Sequence, residues 1–232
     1  MIPDHFVSRS RLPDGDVFAR GNGLLASANP ASYHDRVPTR REQILAAAAE
    51  LFARHGFHGV GIDEIGAAVG VSGPALYRHF RSKDAMLGEM LTSISEVLLA
   101  GGQERRDRTE DPADLLGELI AFQVDFALDN PALITVQERN LGNLTEPDRR
   151  RVRALQRRYV EVWVDAVLGA QPGLGEPTAR AAAHAVFGLI NSTPHSRHLG
   201  RDGMATVLRE MAVGALTSIA AKTTGDDVAA VI

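Results

Sequence analysis

The stretch IDEIGAAVGVSGPALYRHF, residues 62–80, decides the fold. Its first part, Ile62 to Val69, has helical spacing, with Ile62, Ile65 and Val69 on one side. Gly70-Val71 then reads as a tight turn, because glycine accepts the left-handed backbone that such a turn needs. Ser72 is a good N-cap for a second helix, and Pro74 falls in its first turn, where a missing N–H does no harm. Leu76 and Phe80, four residues apart, face inward. Two short helices joined by a turn containing glycine make a helix-turn-helix. Such a unit reads DNA when its second helix protrudes with small or polar groups on its first turn. Ser72, Gly73, Pro74, Ala75, Tyr77, Arg78 and His79 remain on the outward side. Tyr, His and Arg side chains and helix N-terminal amides all bind phosphate.

Outward from this stretch, helix is expected in both directions. Upstream, Ile44, Leu45, Ala48, Leu51 and Phe52 form an amphipathic face; Thr39 with Glu42 reads as a capping box, and Gly56 as a stop. Downstream, Ser82 caps a fourth helix, expected from Lys83 to near Ala100 and followed by a polar break over 101–109. Later helices are expected over 111–129, 131–140, 145–168, 177–192 and 203–222. No strand pattern of useful length occurs, so the fold class is all-α. The expected organisation is a flexible N-terminal arm (1–38), a three-helix helix-turn-helix domain (39–84), a larger helical domain (85–222) and a tail (223–232). The arm is rich in Gly, Pro, Asp, Ser and Asn. It reads either as a disordered tail or as an arm that touches a groove or a phosphate strand.

The 232 residues, 44% hydrophobic and 23% charged, are ordinary for a soluble globular protein. The net charge is −4, so any DNA contact must come from a local basic surface. Residues 40–83 carry six basic and four acidic side chains, a local surplus of two. The absence of cysteine excludes disulfides, iron–sulfur clusters, Cys zinc sites and thiol nucleophiles. No apolar run reaches the roughly 18 residues of a membrane span. The N-terminus lacks a signal-peptide core, so a cytoplasmic location is expected. There is no G-x-S-x-G elbow and no complete phosphate-binding glycine motif, which argues against an enzyme. The pairs His55/His58 and His195/His198 lack a third ligand at metal-binding spacing, so neither metal nor other cofactor is expected.

Residues 41–87 closely resemble the DNA-binding domain of the TetR family. The matching strings are ILAAAAELFARHGF, IDEIGAAVGVS and ALYRHFRSKDAML. The resemblance implies that Tyr77 and His79 grip phosphates and that Lys83 adds a charged phosphate contact. Ser72 and Arg78 become candidates for base or phosphate contact, and Arg40 and Arg41 for anchoring the first helix to the backbone. Two departures bear on specificity. The family's usual Lys-Gly-Thr or Lys-Gly-Ser is Gly73-Pro74-Ala75 here, and its Thr-Ser before the second helix is Val60-Gly61. Base reading then rests more on apolar contact, such as Ala75 against a thymine methyl.

In the C-terminal half, Phe122, Phe126, Tyr159 and Trp163 recur at helical spacing. They read either as plain core or as the wall of an apolar ligand cavity. With them, Gln137, Arg139, Phe187 and Asn191 complete the candidate ligand set. With Gln137-Glu138-Arg139, the Arg-rich helix running to Trp163, and Phe187-Gly188-Leu189-Ile190-Asn191-Ser192, this half resembles regulators of lipid or steroid catabolism from high-GC bacteria, which implies an acyl or steroid-type effector, free or as a coenzyme A thioester. A small-residue face (Ala181, Ala182, Ala185, Gly188, Leu189) and an apolar stripe (Met204, Val207, Leu208, Met211, Ala215, Leu216, Ile219) read as a homodimer surface or as intrachain core. The expected function is a repressor released from a palindromic operator on double-stranded DNA by a small apolar ligand, with no membrane partner. The alternative is a ligand-sensing dimer or scaffold whose DNA-binding head has degenerated.

Overall fold

The computed structural model describes residues 38–195 and 199–229, with side chains through Ile219. The expected arm, apart from Pro38, lies outside the described residues. Nine α-helices appear among them: α1 Arg40–His55, α2 Ile62–Ala68, α3 Gly73–Leu76, α4 Lys83–Arg108, α5 Pro112–Asp129, α6 Pro131–Asn140, α7 Glu146–Ala170, α8 Glu176–Ile190 and α9 Arg201–Ala229.

The helix starts follow local chemistry. At α1 the Thr39 hydroxyl accepts the Glu42 N–H at 3.3 Å, and the Glu42 carboxylate accepts the Thr39 N–H at 2.6 Å. This is the reciprocal capping box, which satisfies two amides that a helix end otherwise leaves bare. Asp111 caps α5 by accepting from Ala113 and Asp114 at 2.8 and 3.0 Å. Proline follows the cap in α5, α6, α7 and α8, where its fixed φ suits a first helical turn.

Helix α4 departs from expectation. It runs unbroken through Gly101-Gly102 to Arg108, 26 residues in all. Two glycines in a helix interior cost about 1 kcal/mol each against alanine. Tertiary packing outweighs that cost here. The Phe122 ring of α5 fills the space a Cβ on Gly101 would take, and a Cβ on Gly102 would lie 2.7 Å from the Tyr159 ring of α7. The glycines let α4 close onto both neighbours. Helix α9 likewise starts before residue 203 and runs beyond 222.

Helices α1–α3 form a small head around Leu45, Phe52, Ile65, Leu76 and Phe80. Its core is continuous with that of the larger unit through α4, which packs on α5 and α7. The head has a second attachment, because α1 packs on α6. Beside it, His58 Nε2 lies 3.1 Å from Asn143 Oδ1 in the turn after α6. Helix α9 packs on α5 and α8, and Arg201 and Arg209 reach Asp129 and Asp125 of α5 at 2.7 and 2.8 Å.

The apolar stripe of α9 resolves into two faces. Met204, Leu208 and Leu216 are buried inside the chain, whereas Val207 and Met211 are exposed. On α8 the expected small-residue face divides in the same way. Ala182 is buried; Ala181, Ala185 and Gly188 point outward. No single helix among the described residues is long and apolar enough to cross a membrane.

Candidate nucleic-acid interface and effector core

The turn between α2 and α3 is built on two glycines. Gly70 has φ of +69°, in the left-handed region. A Cβ on Gly66 would lie 2.6 Å from the Val71 carbonyl oxygen. Gly66 therefore lets the chain fold back tightly, and its own carbonyl accepts the N–H groups of Val69 and Val71 at 3.2 and 2.9 Å. Ser72 then caps α3, accepting from Ala75 N–H at 3.4 Å. The helical turn continues past Leu76 through N–H bonds from Arg78 to Ala75 O and from His79 and Phe80 to Leu76 O. Leu76 and Phe80 are buried, which fixes the outward face.

On that face Ser72, Pro74, Tyr77 and Arg78 are exposed, and Ala75 and His79 are half-buried. Tyr77 is 55% exposed, unusual for so large an aromatic side chain. Gly73 differs from its expected outward position. It is buried, with the Asp63 carboxylate filling the space a Cβ would need.

Three expected phosphate contacts are already engaged by groups of the protein itself. Arg41 donates to both Glu89 oxygens and to the His79 carbonyl, and its guanidinium lies 4.1 Å from the Phe80 ring centroid. The bond to Glu89 pushes the Arg41 pKa above its ordinary value and keeps it charged. Lys83 donates to Phe57 O and Val60 O at 2.7 and 2.8 Å and sits over the Phe57 ring at 4.6 Å. Arg40 donates to Val69 O at 2.5 Å and to Gln43 Oε1 at 2.9 Å. These cations tie α1, the loop 56–61 and α4 to the recognition turn. Sequence reading passed over Arg81, which is exposed directly after Phe80. Its signal was a basic residue next to an inward anchor.

The C-terminal candidates divide as well. Tyr159, Trp163 and Phe187 come together, with centroids 4.8 Å apart for Trp163–Phe187 and 5.7 Å for Tyr159–Phe187. The Tyr159 hydroxyl donates to Gln123 Oε1 at 3.0 Å, and Gln123 Nε2 donates to Asn191 Oδ1 at 3.2 Å. Burial pushes the Tyr159 phenol well above its ordinary range, partly offset by the nearby Trp163 and the Arg105 guanidinium. Trp163 is fully buried; its Nε1 lies close enough to the Tyr159 oxygen to act on it but makes no hydrogen bond of full geometry. Phe122 lies under the Arg105 guanidinium at 4.0 Å, and Phe126 is buried in the same core. Gln137 sits on α6, which packs chiefly on α1, and its enclosed Oε1 lacks a partner. Arg139 is exposed at the end of α6 and does not face this core, because the inward side of α6 is taken by Leu133, Ile134 and Val136.

Gln123 and Arg105 were missed by sequence reading. Gln123 is the one uncharged polar residue within the apolar run 119–128, a signal that was present. An open groove of about 830 Å³ lies at the α4–α5 corner, lined by Arg108, Asp111, Asp114 and Glu118 among others. Its shallow, solvent-open shape and the charged side chains around it do not suit an apolar ligand.

The likeness to known proteins covers both parts. Residues 44–90 match the family described as bacterial regulatory proteins, tetR family, and residues 109–195 match the tetracyclin repressor-like C-terminal domain. The chain is 37% identical over 87 residues to the HTH-type transcriptional activator FasR of Mycolicibacterium smegmatis, covering 38% of this chain and 40% of that one. It is 25% identical over 133 residues to the HTH-type transcriptional repressor KstR2 of Mycobacterium tuberculosis, covering 57% of this chain and 66% of that one. The matches thus span between two fifths and two thirds of these relatives. Among solved structures, a TetR-family regulator from Bordetella parapertussis superposes with a TM-score of 0.69 at 25% identity, covering 76% of this chain and 95% of that one. The ketosteroid transcriptional regulator KstR2 of Mycobacterium tuberculosis superposes at 0.70 and 21% identity, covering 79% and 96%. With the two family matches on consecutive parts of an all-helical chain that carries a helix-turn-helix head, the protein belongs to the TetR family of bacterial regulatory proteins.

Proposed function

We propose that the chain is a DNA-binding transcriptional repressor, acting in the cytoplasm as a homodimer on a palindromic operator and released by a small apolar ligand. The head is residues 39–84, and the ligand-binding and dimerisation unit is residues 85–222. The observation that carries this reading is the recognition turn. Leu76 and Phe80 anchor it while Pro74, Tyr77 and Arg78 stand exposed on a capped helix end. Such a face fits a major groove, with Tyr77, His79 and Arg81 on phosphates.

The exposed Met211 and Val207 of α9, with Ala181, Ala185 and Gly188 of α8, are the proposed dimer seam. Small residues allow two copies to approach closely in a four-helix bundle. Two heads are needed because half-sites lie about 34–36 Å apart, one DNA turn.

The effector site is the aromatic cluster of Tyr159, Trp163 and Phe187, with Phe122 and Phe126 of α5 in the same core. Gln123, Asn191 and the Trp163 N–H orient the ligand. A buried donor without a full hydrogen bond is costly, and a ligand oxygen accepting from Trp163 Nε1 relieves that cost. The ligand is therefore an apolar body with an oxygen acceptor, of the acyl or steroid kind, free or as its coenzyme A thioester. KstR2 is by its name a ketosteroid regulator. The rings of Phe122 and Tyr159 lie directly on Gly101 and Gly102 of α4. A ligand that displaces either ring moves α4, whose other end carries Ser82 and Lys83 at the head. Ligand shifts this equilibrium only through its differential affinity for the two states.

Native mass spectrometry of protein from its own host, followed by a mobility shift with upstream DNA and any co-purified compound, tests the reading. A dimer that binds a palindrome and releases it with an acyl or steroid compound supports it. Trp163→Ala should then lose the ligand response and keep DNA affinity. A second reading, a sensor dimer with a degenerate head, is favoured by the buried Gly73 and by Arg41 and Lys83 being already bonded to the protein's own groups. A dimer that binds no DNA at any salt concentration would establish it instead.

A further inference from the structure

Telling guanine from adenine by hydrogen bonds at the base edges needs a side chain with free donors or acceptors. The head holds few. Ser72 spends its hydroxyl oxygen on the α3 cap, and Gly73 has no side chain and is buried. Arg40, Arg41 and Lys83 donate to backbone carbonyls at Val69, at His79, and at Phe57 and Val60. Arg54 pairs with Glu50 at 3.7 Å, on the far end of α1. Among the described residues, Arg78 and Arg81 are the head's arginines left without a hydrogen bond or ion pair. Arg81 lies beyond Phe80, past the last N–H bond of the recognition turn. Arg78 lies within that turn, four residues after Pro74 and three after Ala75, a spacing that puts all three on one face.

Resting on the DNA-binding reading above, we propose that Arg78 is the base-reading residue and that each operator half-site holds a guanine in register with it, next to a thymine. A guanidinium presents two parallel N–H donors. Guanine presents two acceptors, O6 and N7, on its major-groove edge; adenine pairs one acceptor with one donor and repels the fork. Pro74 and Ala75, on the same face by spacing, offer apolar surface beside Arg78, which suits the C5-methyl of thymine. The loss of polar side chains at positions 73–75 therefore concentrates specificity in a single hydrogen-bonding contact per half-site. Tyr77 and Arg81, on either side, hold phosphates and carry no sequence preference.

The test starts with the full-length protein and upstream DNA. Methylation interference locates guanines whose N7 must be free. Each such guanine is then replaced by 7-deazaguanine, and binding is measured for the wild type, Arg78→Ala and Arg78→Lys. The wild type should lose roughly 10- to 100-fold at one guanine per half-site, the range of a good bidentate contact. Arg78→Ala should bind the native operator more weakly by a similar factor and be indifferent to the replacement, with affinity for unrelated DNA changed far less. Arg78→Lys should fall between them. Melting temperature checks that the variants fold. An Arg78→Ala protein that still discriminates the guanine would overturn the assignment, as would one that loses affinity equally on every sequence, the signature of a phosphate contact. A wild type that binds its operator with no guanine sensitive to N7 methylation overturns this proposal and leaves the regulator reading standing. A wild type that binds no DNA overturns both.

Discussion

Lys83, the first residue of α4, donates its ammonium to the carbonyl oxygen of Val60 at 2.8 Å. Together with its bond to Phe57 O, this closes the loop between α1 and α2 onto the base of α4. Hydrogen bonds from a charged donor contribute about 1.5–3 kcal/mol each to stability. Lys83→Ala should therefore lower the melting temperature of the head, by a destabilisation of about 2–4 kcal/mol given the group's partial exposure. The salt dependence of operator binding, measured where the variant is folded, should stay near wild type. A salt slope reduced by about one with unchanged melting would instead return Lys83 to a phosphate.

Tyr77 and Arg81 are expected to behave in the opposite way. Both are exposed, so Tyr77→Phe and Arg81→Ala should leave the stability within about 0.5 kcal/mol of wild type, read by thermal denaturation. Each should weaken binding to specific and unrelated DNA by the same factor. For Arg81→Ala the slope of log affinity against log salt should fall by about 0.9. A change in base preference measured by competition with mutated operators would contradict the phosphate role.

Glycine at 102 is required by the Tyr159 ring beside it. Gly102→Ala inserts a methyl where that ring lies, and overpacking of this kind costs about 1–3 kcal/mol. The gain in helix propensity returns about 1 kcal/mol of it. Since the methyl pushes α4 away from α7, operator affinity should fall even without ligand. Calorimetry and mobility shifts read the two effects separately; full operator affinity in a stable variant would detach α4 from the release mechanism.

Tyr159 gives a pH signature. Its phenol has a folded-state pKa raised by burial, so the native state holds this proton more tightly than the unfolded chain does. The stabilisation from the neutral phenol is complete below the ordinary tyrosine pKa of about 10 and is lost as pH rises above that value toward the folded pKa. Denaturation followed from pH 8 to 11 should show this loss, and Tyr159→Phe should flatten it. An unchanged alkaline profile in Tyr159→Phe would mean that the phenol reaches water.

Met211 tests the dimer seam. It is 54% exposed on α9, beside the inward-facing Leu208 and Ala212. Met211→Glu should leave the chain folded, since no core contact is removed, and should shift it to monomer by analytical ultracentrifugation. Operator affinity should drop with it, because two linked heads bind cooperatively. A Met211→Glu dimer would move the interface elsewhere.

Local chemistry determined much of this protein before any tertiary contact was known. The capping pairs at Thr39 and Ser72, the Gly70 turn and the spacing of Leu76 and Phe80 are interactions over three or four residues, and they define the helix-turn-helix. What only the tertiary structure decided are matters between distant residues. Gly101-Gly102 reads as a break from propensity, yet the rings of Phe122 and Tyr159 convert it into a close crossing within α4. Arg41 and Lys83 read as cations free for DNA, yet they serve Glu89, His79, Phe57 and Val60. The stripe on α9 reads as one surface, yet it faces the core on one side and solvent on the other. Periodicity and caps are short-range and survive in the sequence. Which partner a long side chain reaches depends on where separate helices come to rest, and only the packed core sets that.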